Sequence, residues 1–123
     1  MELIQNNALR MMERSMEFLW TKQACILDNL ANVETPGYKT RYVTFEETLD
    51  RALRSTDTGK EVREALTEVR PELHEVEETG RLDGNSVDLT EQSVELARNG
   101  YQLQYAMDAI ADDLSLLRTA IRG

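Results

Sequence analysis

The chain has 123 residues and a formal net charge of −9. This length suits one domain and excludes a barrel or a two-domain enzyme, and the negative charge disfavours binding to nucleic acid or to anionic lipid, which repel an acidic surface. A single cysteine, Cys25, permits no internal disulfide and no multi-cysteine metal site. No apolar run approaches the roughly 20 residues that a membrane-spanning helix needs. The acidic Glu2 and the charges from Arg10 onward argue against a cleavable secretory signal peptide.

Charge and turn residues divide the chain into three predicted parts. Residues 1–40 form an N-terminal helix plus a Thr-Pro-Gly loop, residues 41–85 form an acidic middle segment with one short helix, and residues 86–123 form a C-terminal helix. The middle part holds 7 Lys and Arg residues against 12 Asp and Glu residues. It also contains a turn-rich stretch at 55–59 and a Glu-rich run at 72–78, and we expect both to be exposed.

A heptad-type pattern runs through the N-terminal part. Steps of three and four residues pass through seven apolar side chains and one glutamine, which are Leu9, Met12, Met16, Leu19, Gln23, Ile26, Leu30 and Val33. This stripe predicts a helix from about residue 3 to 32. The helix is expected to stop before Thr35-Pro36-Gly37, because proline restricts the residue before it and glycine lets the chain turn.

The C-terminal part shows the same pattern. Its seam includes a strict seven-residue series and two further apolar positions, namely Leu89, Leu96, Leu103, Ile110 and Leu117, with Met107 and Leu114 between them. Asp88 followed by Glu91 makes a capping-box pattern, which predicts a helix over about 88–121. A repeat of 3.5 residues per turn is typical of coiled-coil packing.

These patterns predict an all-α core in which the long N- and C-terminal helices form an antiparallel coiled coil, joined by an irregular, partly extended middle segment. Each helix also carries apolar side chains outside its seam, among them Trp20, Leu27, Val94, Tyr101 and Tyr105. One partner helix cannot cover a face of that width. An apolar surface of this kind favours association, so the sequence predicts assembly into a larger structure.

The middle segment permits two interpretations. Thr44 followed by Glu47 makes a second capping-box pattern and predicts a helix of two or three turns. The apolar residues around Leu66 can extend the helical content, whereas residues 73–76 can pair as a short hairpin across Gly80. Spacing does not decide between the helix and the hairpin.

The segment from Asn29 to Lys39 reads Asn-Leu-Ala-Asn-Val-Glu-Thr-Pro-Gly-Tyr-Lys. It resembles the signature of the flagellar rod, hook and hook-associated axial proteins, and residues 82–89, 95–97 and 116–121 extend the resemblance to about 70 residues in total. The short chain is similar to rod proteins without large outer domains. The resemblance implies a structural subunit of the proximal rod of the bacterial flagellar basal body, which assembles helically, transmits torque and lies in the periplasm.

The resemblance also implies site residues and partners. The loop after the first helix would pack between subunits as an assembly loop, comprising Asn29, Ala31, Asn32, Thr35, Pro36, Gly37 and Tyr38. Phe45 and Leu49 match a short pattern by which such subunits engage the flagellar type III export gate, although the same residues also suit packing of a small helix. Implied partners are copies of the chain, other rod subunits, membrane-ring junction proteins and the export gate. A cytoplasmic coiled-coil adaptor or secretion chaperone is the alternative.

No residue cluster predicts an enzyme. The carboxylate pairs are sequence neighbours such as Asp112 and Asp113, which point in different directions on a helix. His74 is the only histidine and has no companion ligands, so a surface role is expected. Cys25 lies within the first helix without a nearby histidine, which favours packing. We therefore expect no catalytic residues, no cofactor and no metal.

Overall fold

The computed structural model describes residues 7–54, 59–77, 82 and 84–123. Its elements in chain order are α1 (Asn7–Ala31), β1 (Arg41–Thr44), α2 (Glu46–Arg54), α3 (Gly59–Glu68), β2 (Glu72–Glu75) and α4 (Leu89–Arg122). Two long terminal helices thus enclose a short middle segment that contains a two-stranded sheet. The predicted fold class is confirmed.

Helices α1 and α4 pack against each other along an antiparallel hairpin. Asn29 Nδ2 lies 3.0 Å from Gln92 Oε1, and Asn99 Nδ2 lies 2.8 Å from Gln23 Oε1, so residue numbers fall along α1 as they rise along α4. Leu19 on α1 is buried in this contact and accepts a hydrogen bond of 2.9 Å from Asn99 through its backbone oxygen. The two amide pairs fix the register of the hairpin.

The limits of the long helices agree closely with the sequence patterns. Helix α1 ends at Ala31, and α4 begins at Leu89. Asp88 caps α4 as predicted, because its Oδ1 accepts a 3.0 Å hydrogen bond from the backbone N–H of Glu91. The predicted start of α1 near residue 3 lies outside the described residues.

The side chains through which α4 packs against α1 are only partly those of the predicted apolar seam. Asn99 is fully buried and Gln92 nearly so, whereas the predicted seam residues Met107 and Leu114 are 51% and 54% exposed. The predicted positions Leu96, Leu103, Ile110 and Leu117 are half-buried. The difference arises because the amides of Gln92 and Asn99 find hydrogen-bond partners on α1, which makes their burial acceptable.

The middle segment contains two helices, not the one short helix predicted. Helix α3 follows the α2 helix and buries Leu66, which is 1% exposed. Arg14 on α1 supports it, since Nε donates 2.8 Å to the backbone oxygen of Leu66. The helical extension around Leu66 is therefore correct. The turn-rich stretch at 55–58 lies outside the described residues.

The sequence patterns did not predict that β1 and β2 pair with each other. β2 pairs antiparallel with β1, with Arg41 opposite Glu75, and the turn at Gly80 across which a hairpin was predicted lies outside the described residues. The second predicted capping box is also wrong. Thr44 belongs to β1, and its hydroxyl lies 2.8 Å from His74 Nε2 on the neighbouring strand. That cross-strand contact takes the place of a cap on α2.

The small core lies between α1 and the middle segment. The ring of Phe45 stacks on that of Phe18 with centroids 5.2 Å apart, and Phe45 is 4% exposed. Cys25 on α1 is also buried. This burial, reinforced by the negative charge of Asp28, raises the pKa of the Cys25 thiol. Among the described helices none is long and apolar enough to cross a membrane.

Candidate functional site

The Thr-Pro-Gly loop that follows α1 is built from successive tight turns. The backbone N–H of Thr35 donates to the oxygen of Asn32 at 3.1 Å, and the N–H of Tyr38 donates to the oxygen of Thr35 at 3.2 Å. Gly37 has φ +76°, a left-handed conformation that glycine adopts without steric cost. The sequence pattern of the loop thus matches its backbone geometry.

Asn29 anchors this loop from inside the protein. Its Nδ2 donates 2.8 Å to the backbone oxygen of Arg41, and its Oδ1 accepts 3.0 Å from the backbone N–H of Arg41. The hydroxyl of Tyr38 donates to the same Oδ1 at 3.3 Å. Asn29 is 0% exposed, so all its side-chain bonds stay within the chain. It holds the loop against β1 and does not face a neighbouring molecule.

Residues 84–86, which we call the clamp segment, hold the loop from the C-terminal side. Asn85 Nδ2 donates to the backbone oxygens of Asn32 at 2.8 Å and of Thr35 at 2.7 Å. The N–H of Ser86 donates 3.0 Å to the backbone oxygen of Tyr38. Sequence reasoning missed the role of these residues. An asparagine shortly before a helix cap was the available signal, since asparagine often bonds the backbone two residues ahead.

The predicted assembly residues divide into an inner and an outer group. Asn29 is buried, and Asn32 and Tyr38 are half-buried within the loop. Burial raises the pKa of the Tyr38 phenol, against an opposing effect of the Arg41 cation. The outer group is exposed and consists of Ala31, Thr35, Pro36 and Gly37. We call Thr35, Pro36 and Gly37 the loop edge, since they form the part that another molecule can touch.

Of the two predicted export residues, Phe45 lies in the core and Leu49 at its border. Phe45 is buried against Phe18, and Leu49 is half-buried one helical turn later, its N–H donating 2.8 Å to the backbone oxygen of Phe45. The geometry therefore supports packing of α2 in the folded chain. Another protein can bind the Phe45 side chain only after Phe45 and α2 have separated from α1.

Both long helices carry exposed apolar side chains. Trp20 is 59% exposed on α1, and Tyr101 and Tyr105 are 81% and 79% exposed on α4. Further exposed apolar side chains are Leu27, Leu89, Val94, Met107, Leu114, Leu116 and Ile121. Surface of this extent is typical of proteins that associate.

The site offers hydrogen bonds and apolar contacts. Within the described residues there is no group of three or more His, Cys, Asp or Glu side chains that could hold a metal ion. His74 is engaged with Thr44 and stacks on Tyr42 at 5.2 Å. The arrangement suits a surface for subunit contact.

Comparison with known proteins adds an independent line of evidence. No protein-family model matches the chain. It is 31% identical over 113 residues to the flagellar basal body rod protein FlgB of Aeromonas hydrophila, with 84% of each chain covered. The same protein of Escherichia coli is 28% identical over 129 residues, covering 94% of each chain. The Bacillus subtilis protein of that name is 24% identical over 123 residues, covering 96% of this chain and 95% of the relative.

Proposed function

Because the chain belongs to the FlgB family of flagellar basal body rod proteins, we propose that it builds the proximal rod by packing helically with copies of itself and with other rod subunits. Membership makes the chain a structural subunit of the rod, located in the basal body and partnered by other rod subunits. The observation that carries the finer proposal is the exposed loop edge, whose shape is fixed by hydrogen bonds to Asn29 before the loop and from Asn85 shortly before α4.

The exposed apolar side chains of α1 and α4 support the proposed helical assembly of subunits. Trp20 on α1 and Tyr101 on α4 are both mostly exposed, so one hairpin leaves contact surface on each of its helices. Contacts between different surfaces of identical subunits generate an open helical filament when they do not close into a ring. Dense packing of such helices resists deformation, which supports a role in transmitting torque.

Export through the flagellar type III system is a separate part of the proposal. The Phe45 and Leu49 pattern would engage the export gate while the chain is unfolded, because Phe45 is 4% exposed after folding. Phe45→Ala and Phe18→Ala both remove the ring stack at 5.2 Å, but only the first changes the pattern. We expect reduced secretion for Phe45→Ala alone. Equal secretion of both variants would leave packing as the sole role of Phe45.

The location of the exported subunit completes the proposal. We place it in the periplasmic rod next to the membrane-ring junction proteins. A strain lacking the gene, complemented with a tagged copy, tests this together with rod assembly. The tag is expected in purified basal bodies and at the membrane-proximal end in images of them. A tag found only in cytosol would favour a cytoplasmic adaptor or chaperone instead.

A further inference from the structure

We propose that Asn85 is the positioning residue of the loop edge, so that the contact surface of the subunit is complete only after the C-terminal arm (residues 84–123) has docked on the N-terminal arm (residues 7–40). This inference rests on the proposed function, in which the loop edge contacts neighbouring subunits. Its basis is the hydrogen bonding of one fully buried side chain that belongs to a different arm of the molecule from the loop itself.

The carboxamide of Asn85 joins the end of α1 to the turn that follows it. Its two donated bonds, 2.8 Å to the oxygen of Asn32 and 2.7 Å to the oxygen of Thr35, bring two loop carbonyls to one nitrogen. Its Oδ1 accepts 2.8 Å from the N–H of Val87, which fixes the orientation of the amide. Asn85 is 0% exposed, so water does not compete for these bonds.

The neighbours of Asn85 hold the same loop. Gly84 has φ +79°, and a Cβ there would lie 3.3 Å from the Cα of Gly37, so the two glycines meet backbone to backbone. The backbone oxygen of Gly84 also accepts a 3.3 Å bond from Lys39 Nζ. The clamp segment therefore touches the loop edge directly and does not act through the helices.

The order of the chain gives this contact its functional meaning. The loop belongs to the N-terminal arm, whereas Asn85 lies 53 residues after Asn32 and three residues before Asp88, the cap of α4. In a subunit whose C-terminal arm has not yet docked, the loop edge lacks the hydrogen bonds from Asn85 that fix its conformation. Such a subunit would not be accepted by its neighbours, which links completed folding to incorporation.

The test replaces the donors and keeps the acceptor. Asn85→Asp retains an oxygen for the N–H of Val87 but places carboxylate oxygen against two carbonyls. Asn99→Asp is the matched control, since Asn99 is equally buried and also donates two bonds, at 2.9 Å to the Leu19 oxygen and 2.8 Å to Gln23 Oε1 in the hairpin. Asn85→Ala is used in addition, with circular dichroism of the purified full chain showing whether the helices are retained.

Tryptic cleavage after Lys39 measures the loop, and incorporation into basal bodies per secreted molecule measures assembly. Because two hydrogen bonds are lost, we expect cleavage of the Asn85 variants to be at least about tenfold faster than that of the control, with incorporation lost. If the wild-type chain is absent from basal bodies, the proposed function is refuted. If the wild type and both Asn85 variants are all incorporated normally, only the positioning role of Asn85 is refuted. Equal cleavage rates of the Asn85 and Asn99 variants would also refute the positioning role.

Discussion

Gly37→Val is the sharpest perturbation of the loop edge. Gly37 has φ +76°, a region in which a β-branched residue is strained, and a Cβ placed there meets nothing within 4 Å. The cost is therefore backbone strain, about 2 kcal/mol for such an outlier. That energy corresponds to roughly a thirtyfold loss of the native loop conformation.

Most of the α1–α4 hairpin lies away from this substitution, as do the bonds of Asn99 to Leu19 and Gln23. We expect Gly37→Val to abolish rod formation and motility while circular dichroism of the purified chain shows unchanged helix content. Gly37→Asn is the graded control, because asparagine tolerates the left-handed region better than valine does. Its motility should lie between that of the wild type and that of Gly37→Val.

Normal motility of the Gly37→Val strain would refute the reasoning that the loop conformation is needed for assembly. A Gly37→Asn strain as immobile as Gly37→Val would point to a different cause. In that case any side chain at this position would collide with a neighbouring subunit, since the isolated chain has open space there. Comparing the two strains in soft agar, with the amount of secreted protein measured in each, separates strain from collision.

Other substitutions test further parts of the structure. Gly84→Ala should destabilise the purified chain more than Gly37→Ala in urea titration, because its Cβ lies 3.3 Å from a backbone atom in addition to the strain of φ +79°. Trp20→Ser should lower monomer stability by no more than about 2 kcal/mol and still reduce incorporation into basal bodies, because the side chain is 59% exposed. Since burial raises the pKa of Cys25 and so favours the neutral thiol, folded stability should fall as the pH rises above 9.0. Cys25→Ala should weaken that fall in pH-dependent melting.

The sequence was sufficient to predict the long helices, because their signals are local. The heptad stripe of α1 and the Asp88 cap of α4 act within a few residues of where they are read. The exact face of α4 was not predictable from apolar spacing, because buried Asn99 reads as a polar residue until its partner Gln23 is known. The seven-residue spacing of Gln92 and Asn99 was the one available signal.

The middle segment and the inner part of the site depend on contacts that are distant in sequence. β2 forms because β1 offers it a partner, as in the pairing of Thr44 with Glu72, and a four-residue strand has too short a pattern to reveal this. Likewise, Asn29 reads as part of a surface signature, although its partner Arg41 makes it an internal anchor. Local punctuation is readable in a sequence, whereas the choice of remote partner depends on the whole fold.

The amide pairs that align α1 with α4 carry no net charge. Carboxamides such as those of Gln23 and Asn99 neither gain nor lose protons over the ordinary pH range, and dissolved ions screen them far less than they screen full charges. The nearby ion pair of Lys22 and Glu95, 3.3 Å apart, lacks this protection. Low pH or high salt that weakens this ion pair is therefore expected to leave the alignment of α1 with α4 unchanged. A rod subunit aligned in this way is expected to keep α1 and α4 in register when the pH or the salt concentration around it changes.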